Sequence, residues 1–420
     1  MSKKRKRILI ITLAVLGVIA LIVGVYFLVR AIRISAIETG LDRIDVCVNG
    51  VEIESNEEYV QCTVSLTSGE DVYSFENLEA GIRLRGNDTR LYYPKKPYRI
   101  KFEKKTSVYG EPENKSWVLL ALYNDYSLIK DYLAFTVADK VMAGDFVPSH
   151  NFVDLYLDGE YQGVYLLTDQ VNEKSGRLDV EYNFAAEDKS VPFLVELDNR
   201  APEEGEEGVD WFAIGTKYYA VKYPNATERY TKEQFEYIEG YVKKVDSLMK
   251  KKDVTIAELE EYIDVDSFVN FYIVQEAMGQ MEINWKSVYM SKTKDGKLKM
   301  GPVWDFDWST TGPSIGVKSD KYWDITEGFK DEGHWFYHAY KNSMEVRKKF
   351  ATRYAEVRED ILQAITDVES IQQTLAPAAE KNHLLWYWYS PATFYEEHFE
   401  RVIWWCRERI AWLDTQFVAK

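Results

Sequence analysis

The chain has 420 residues, 46% of them hydrophobic, and a formal net charge of −16. Removing the five basic residues at positions 3–7 leaves −21 on the remainder, a field that excludes nucleic-acid binding through global charge. The three cysteines, Cys47, Cys62 and Cys406, exclude a disulfide-built scaffold, and a chain this long can build a core without one.

Lys3-Lys4-Arg5-Lys6-Arg7 precede Ile8 to Val29, a run of 22 residues without a charge, and Arg30 and Arg33 follow. As a helix that run rises roughly 33 Å, enough to cross a bilayer core. It exceeds the apolar region of a cleavable signal, about 7–15 residues, and Ser35-Ala36 is a poor cleavage site. Residues 1–7 therefore read as a cytoplasmic basic tail, 8–29 as a retained transmembrane helix and 30–43 as a stalk. The heavier basic cluster before the span places the N-terminus in the cytoplasm and residues 44–420 outside the cell.

Residues 44–115 read mainly as β structure. Short alternating or β-branched runs at 44–48, 62–66, 81–84 and 98–102 are broken by Asn-Gly, Ser-Gly and Gly-Asn. Cys47 and Cys62 could pair across a hairpin, although two small buried residues is the preferred reading. Apolar side chains at helical spacing predict a helix over 127–141 behind Ser127 as a cap. Strands are expected at 152–156 and 162–167 around Asp158-Gly159, a strong hairpin signal, and at 193–198. Residues 202–208 form an acidic, Gly-containing loop to which we assign no chemistry. Helices follow at 232–252, 255–262 and 266–280, then a hairpin of 287–290 and 298–300 joined through Asp295-Gly296. Helices return at 344–374 and 391–417, where Trp404, Trp405, Ile410, Trp412 and Leu413 read as core rather than a saccharide platform.

Directly after the second hairpin strand, Gly301-Pro302-Val303 leads into Trp304-Asp305-Phe306-Asp307-Trp308. Two carboxylates at i and i+2 among large apolar residues are costly unless a positive partner offsets them. Such an oxygen pair suits a hard ion such as Mg²⁺. The bland alternative is an edge strand whose acids point to solvent. No His/Cys grouping has zinc spacing, and no hydrolase triad is suggested.

Strands, a helix, more strands, then helices holding a hairpin that ends in an acidic motif is the order in which protein kinases distribute their parts. Arg85-Gly86-Asn87, Lys95 to Phe102, Gly159 to Leu167, Phe193 to Asn199, Ser287-Val288-Tyr289-Met290 and Gly301 to Trp308 stand in order along residues 45–420. On these segments the chain resembles the spore coat protein H (CotH) kinases, an atypical protein-kinase-like family. The resemblance implies an α+β, atypical two-lobed kinase-like fold, with a strand-rich lobe at 44–200 and a mainly helical lobe at 201–420.

The resemblance and the residues together suggest roles. Lys101, on a strand with Ile100 and Phe102 facing the other way, is expected to hold the α/β-phosphates of ATP. Arg99 shares its face and competes for that role. Arg85, Gly86 and Asn87 are expected to turn above the phosphates, Gly86 allowing close backbone approach and Arg85 adding positive charge. Arg90 stands where the family commonly has tryptophan. Asp305 is the candidate principal Mg²⁺ ligand, and Asp307 binds a second ion or orients the first. Glu282 stands where the family has the aspartate that serves as catalytic base, and its extra methylene moves the carboxylate by about an ångström. Asn284 and Ser287 are candidate metal or phosphate contacts, with hairpin capping as the plainer reading. Lys130 is a weaker phosphate candidate, and Asp169, Glu196 and Asp198 are candidate partners of Lys101 or of adenine.

The function these readings imply is a membrane-anchored, outward-facing CotH-type kinase with a single span. It would transfer the ATP γ-phosphate, with Mg²⁺, to Ser or Thr hydroxyls of envelope or surface proteins. The alternative is a catalytically weak or inactive kinase-like binding or scaffold protein. A third reading is a metal-dependent hydrolase or another transferase using the same acids.

Overall fold

The computed structural model describes residues 3–202, 209–224, 230–312, 325–326, 328–330, 332–388 and 393–417. Most of the acidic loop expected at 202–208, and the first residues of the helix expected from 391, lie outside the described residues. The architecture is mixed α+β: strand-rich in its N-terminal part, helical in its C-terminal part, and preceded by one apolar helix.

That first helix, α1 (Lys3–Ala36), has a mean hydropathy of 3.1 over its most apolar stretch and is long and apolar enough to cross a membrane. Its last turns meet the helical part: an Arg30 Nη2 hydrogen donates to the Tyr387 carbonyl at 2.9 Å, and Arg33 pairs with Glu380. The helix runs past the expected end of the span and takes up half of the stalk.

Strands β1 (Asp42–Cys47), β2 (Val60–Thr67), β3 (Phe75–Leu84), β4 (Tyr98–Thr106), β5 (Asn114–Leu120), β6 (His150–Leu157) and β7 (Glu160–Asp169) form a closed barrel. Its order is β1-β2-β3-β4-β5-β7-β6, closed by parallel pairing of β1 with β6. Alternation puts Val46, Val64, Ile82, Ile100, Leu119 and Leu155 inside, each almost fully buried. Strand β7 departs from alternation because both its faces are covered, Tyr165 and Leu167 by the barrel core and Val164 and Leu166 by the helical core. Cys47 and Cys62 are both free: Cys47 lies opposite Thr63, so Cys62, the next residue, faces the other side of the sheet.

A short helix α2 (Asp88–Tyr92) follows β3, and α3 (Lys130–Val141) lies between β5 and β6. The expected cap at Ser127 is not the one used. Asp125 accepts the Lys130 amide at 2.9 Å and the Ser127 amide at 2.9 Å, so it caps the helix and orders the turn before it.

The second sheet has the order β12-β11-β8-β10-β9, from β8 (Phe193–Leu197), β9 (Trp211–Ile214), β10 (Lys217–Tyr223), β11 (Val288–Lys292) and β12 (Lys299–Met300). Strand β8 is wholly buried at its centre and so belongs with this sheet rather than with the strand-rich part. Helices α4 (Lys232–Met249), α5 (Ile256–Glu260) and α6 (Val265–Met278) follow, the first two opened by capping boxes at Thr231/Gln234 and Thr255/Glu258. Beyond the motif come α7 (Trp335–Asn342), α8 (Met344–Ser370), α9 (Gln372–Trp386) and α10 (Phe394–Gln416).

Helix α6 is apolar on nearly all sides and every residue except Asp266 is buried, which makes it the centre of the helical core. Truncating a core aromatic there, such as Phe271, costs about 3–5 kcal/mol by loss of transfer energy and creation of a cavity. The helix ends at Gly279, whose φ of 58° is left-handed and whose missing Cβ leaves room for Trp405. Arg409 of α10 pairs with Glu276 of α6 at 2.7 Å in full burial. This fixes the end of α6, and with it the start of the turn that carries Glu282.

Candidate active site

The acidic motif has no strand geometry; residues 301–306 are irregular, with Trp304 and Phe306 buried. The edge-strand reading is therefore wrong. Phe135 stacks on Trp304 with centroids 5.9 Å apart, and burial of the two aromatics seats the segment against α3. Asp131 accepts the Phe306 amide at 2.8 Å, and the Lys130 ammonium donates to the Asp307 carbonyl at 3.1 Å. The Gln280 amide donates to the Asp305 carbonyl. Two neighbouring elements, α3 and the turn after α6, thus clamp this backbone, and Asp305 is held at φ 67°, a left-handed value that costs a non-glycine residue about 1–2 kcal/mol. The side chain of Asp305 accepts from Ser287 Oγ at 3.0 Å, and the Asn124 side chain favours the ionised form of Asp307.

Glu282 lies in the turn after α6. One of its oxygens is 3.2 Å from Lys286 Nζ; the other, Oε2, is buried without a hydrogen-bond partner among the described residues. Lys286 Nζ is also 3.6 Å from Asp88 at the start of α2, and Arg200 grips Asp88 through two hydrogen bonds of 2.9 Å. Arg85 has its guanidinium 5.5 Å from the Trp304 ring and feels the charges of Asp305 and Asp131. Carboxylates and basic groups from the barrel loop, the α3 turn, the α6 turn and the motif therefore meet in one seam.

Crowding of acids in a poorly solvated seam raises their pKa values. Burial, followed by the Asp305 charge, pushes Glu282 up to about 8. The same two causes push Asp307 up to about 7. Burial and the Asp307 charge push Asp131 up to about 8. Burial works against the Lys286 ammonium, yet Asp305, Glu282, Asp307 and Asp88 hold its pKa above the ordinary lysine value. These groups titrate as a set, not singly.

Of the other candidate residues, some lie away from the seam and some, such as Lys130, at its edge. Lys101 is exposed on the outer face of the barrel, its ammonium 5.7 Å from the Tyr59 ring, and is not brought to Asp305. Lys101 lies opposite Gly81, and Tyr59 packs on that glycine, so aromatic surface rather than the seam covers this stretch. Arg99 donates to Ser116 Oγ at 3.1 Å. Gly86 has φ 72°, and Arg90 closes the turn by donating to its carbonyl at 3.0 Å, while Asn87 is exposed just before α2. Lys130 is buried and clamps the backbone of the motif. Asn284 accepts from Lys217 Nζ at 3.0 Å, Glu196 pairs with Lys222 at 3.2 Å, Asp169 pairs with Arg177, and Asp198 accepts the Arg200 amide at 3.0 Å. None of these acids partners Lys101.

Sequence reasoning missed Asp131, Asn124 and the triangle of Asp88, Arg200 and Lys286. The spacing of Glu282 and Lys286, four residues apart in a single turn closed by the Lys286 amide on the Glu282 carbonyl, was a usable signal. Nothing local marked the others.

Among the described residues, no three His, Cys, Asp or Glu side chains are close enough to form a ready metal cage. Asp305, Asp307 and the unpartnered Glu282 Oε2 nonetheless offer the hard oxygen donors that Mg²⁺ prefers, so the residues fit such an ion. A cavity of about 580 Å³ beside α3, lined by Tyr132, Asp139, Asp145 and His150, contains none of these carboxylates.

A seam of acids and bases between a strand-rich part and a helical part is suited to an anionic ligand carried with a cation. The family described as CotH kinase protein matches residues 82–413, which span β3 to α10 and every residue of this seam. The chain belongs to that family, a family of kinase-like proteins. No curated protein matches the chain.

Proposed function

We propose that the chain is a membrane-anchored, ATP- and Mg²⁺-dependent phosphotransferase with a two-lobed kinase-like fold, acting on Ser or Thr hydroxyls of envelope or surface proteins. The observation that carries this reading is the convergence of Asp305, Asp307 and Glu282 with Arg85 and Lys286. α1 anchors it, with the N-terminal basic cluster on the cytoplasmic side and the site outside the cell.

Phosphoryl transfer asks a protein mainly to position groups and neutralise charge. Asp305 and Asp307 would hold Mg²⁺, which supplies neutralisation of the phosphoryl oxygens. Ser287 and the clamped backbone orient Asp305, so little reorganisation is needed on binding. Arg85 supplies a fixed positive charge beside Asp305, in the role expected of Lys101. Glu282 is the candidate general base: Oε2 is free to accept a hydroxyl proton, while Oε1 is held by Lys286. With burial pushing Glu282 up to about 8, the base is mostly protonated near neutrality, and positive charge entering the seam would ionise it.

The test uses the purified full chain in detergent micelles, with thermal stabilisation by a non-hydrolysable ATP analogue plus Mg²⁺ and transfer of labelled phosphate to a mixed acceptor protein. The reading requires Mg²⁺-dependent stabilisation that Asp305→Ala removes. It is wrong if wild type and Asp305→Ala behave alike in both assays.

The second reading, a kinase-like binding protein with little turnover, is favoured by the pairing of the candidate base with Lys286. Glu282→Asp separates the two: a large rise in transfer identifies a weakened enzyme, and no change indicates that glutamate already works.

A further inference from the structure

Lys286 stands between the two halves of the seam. Its ammonium is 3.2 Å from Glu282 in the helical part and 3.6 Å from Asp88 in the loop off the barrel. Asp305 and Asp307 are its other charged neighbours, and its side chain is only 17% exposed. The contact with Asp88 is not left to a mobile side chain, because Arg200 fixes that carboxylate through both of its oxygens. Lys286 therefore lies among the carboxylates that a divalent cation would need, and it is anchored there by both halves of the protein.

We propose that Lys286 is an internal counter-ion of the site: it makes the free protein a poor binder of bare divalent cations and favours loading of the cation together with an anionic phosphate ligand. The proposal rests on the reading that Asp305 and Asp307 hold a cation. Two positive charges sharing one set of carboxylates oppose each other, and a charge within about 4–6 Å shifts a neighbouring equilibrium by roughly one to three powers of ten. A nucleotide phosphate brings its own negative charge and offsets that repulsion, so the penalty falls on the bare ion. The geometry leaves a way in, since Lys286 takes one oxygen of Glu282 and leaves Oε2 unpartnered. Lys286 is a positioning residue in this scheme; no bond to it forms or breaks.

A purely structural salt bridge predicts something different: removing Lys286 would loosen the turn and leave cation affinity unchanged or weaker. The experiment therefore titrates the full chain in micelles with Mn²⁺ alone, following the free-ion electron paramagnetic resonance signal, for wild type, Lys286→Met, Lys286→Gln and Lys286→Met/Asp305→Asn. Both single variants should bind Mn²⁺ alone about tenfold tighter than wild type or better, the lower end of the effect of a neighbouring charge. The double variant should lose that gain. Unchanged or weaker Mn²⁺ binding in the single variants overturns the proposal, and Lys286→Gln decides if Lys286→Met does not fold. A parallel arm adds a non-hydrolysable ATP analogue to wild type. Failure there sinks the nucleotide reading and leaves the Mn²⁺-only comparison to judge Lys286.

Discussion

Ser287 and Asp305 face each other from two left-handed backbone positions, φ 58° and φ 67°, with Ser287 Oγ donating to Asp305 Oδ2 at 3.0 Å. Each position is costly for a residue with a Cβ, and the surrounding clamps hold both, so the pair is a place where strain fixes the direction of a carboxylate.

If Asp305 is the cation ligand, its orienting partner matters almost as much. Ser287→Ala is expected to lower Mg²⁺–nucleotide affinity by about 10- to 100-fold while leaving the melting temperature without ligand nearly unchanged. Isothermal titration with an ATP analogue measures the first and a thermal melt the second. An affinity equal to wild type would show that Asp305 needs no such support.

Asp131 is expected to matter through the backbone. Asp131→Ala strands the buried Phe306 amide and should cost about 1–3 kcal/mol, whereas Asp131→Asn keeps an acceptor and should cost less. Denaturant unfolding of the two variants checks the order; equal losses would mean that the hydrogen bond is not what Asp131 contributes.

The seam also sets a pH dependence. Glu282 and Asp131, each pushed up to about 8, and Asp307, pushed up to about 7, hold protons in the folded chain that the unfolded chain releases near the ordinary carboxyl range. Their contribution is full below that range and is lost as pH rises through about 7–8. In EDTA, the melting temperature should therefore fall between about pH 5 and pH 9, and Glu282→Gln with Asp131→Asn should flatten the fall. A double variant whose slope matches wild type would refute this assignment.

Arg85 and Lys101 are expected to separate cleanly. Lys101→Ala, at an exposed position over Tyr59, should change stability by no more than about 0.5 kcal/mol and leave nucleotide affinity within error of wild type. Arg85→Ala removes a charged partner of the phosphates worth about 1.5–3 kcal/mol, or roughly 10- to 100-fold in affinity. The reverse pattern in a binding titration would restore Lys101 to the site.

Much of the architecture was legible because it is written in local periodicity. The alternation at 98–102, the Asp158-Gly159 turn and the apolar spacing within α6 and α8 each depend on near neighbours, and each produced the expected element. Strands β5, β9 and β10 and helices α2, α7 and α9 were missed. Trp117-Val118-Leu119-Leu120 is apolar on both faces, and such a run has no period to read. Pro377, inside α9, argues locally against a helix that packing against β7 sustains.

The sequence by itself determined the apolar first helix, the order of strand-rich and helical parts, the family, and the identity of Asp305, Asp307 and Glu282 as the acids to watch. These follow from composition, period and motif, all carried by residues close along the chain. Tertiary structure alone decided which basic groups meet those acids. Alternation places Lys101 and Arg99 on the outer face of the barrel but cannot say which part of that face the helical part covers. Closure of the barrel and docking of α3 and α6 brought Arg85, Asp88, Asp131 and Lys286 into one seam from positions up to about two hundred residues apart. Electrostatic energy depends on distance through space, so the balance of charge at this site appears only once the chain is folded.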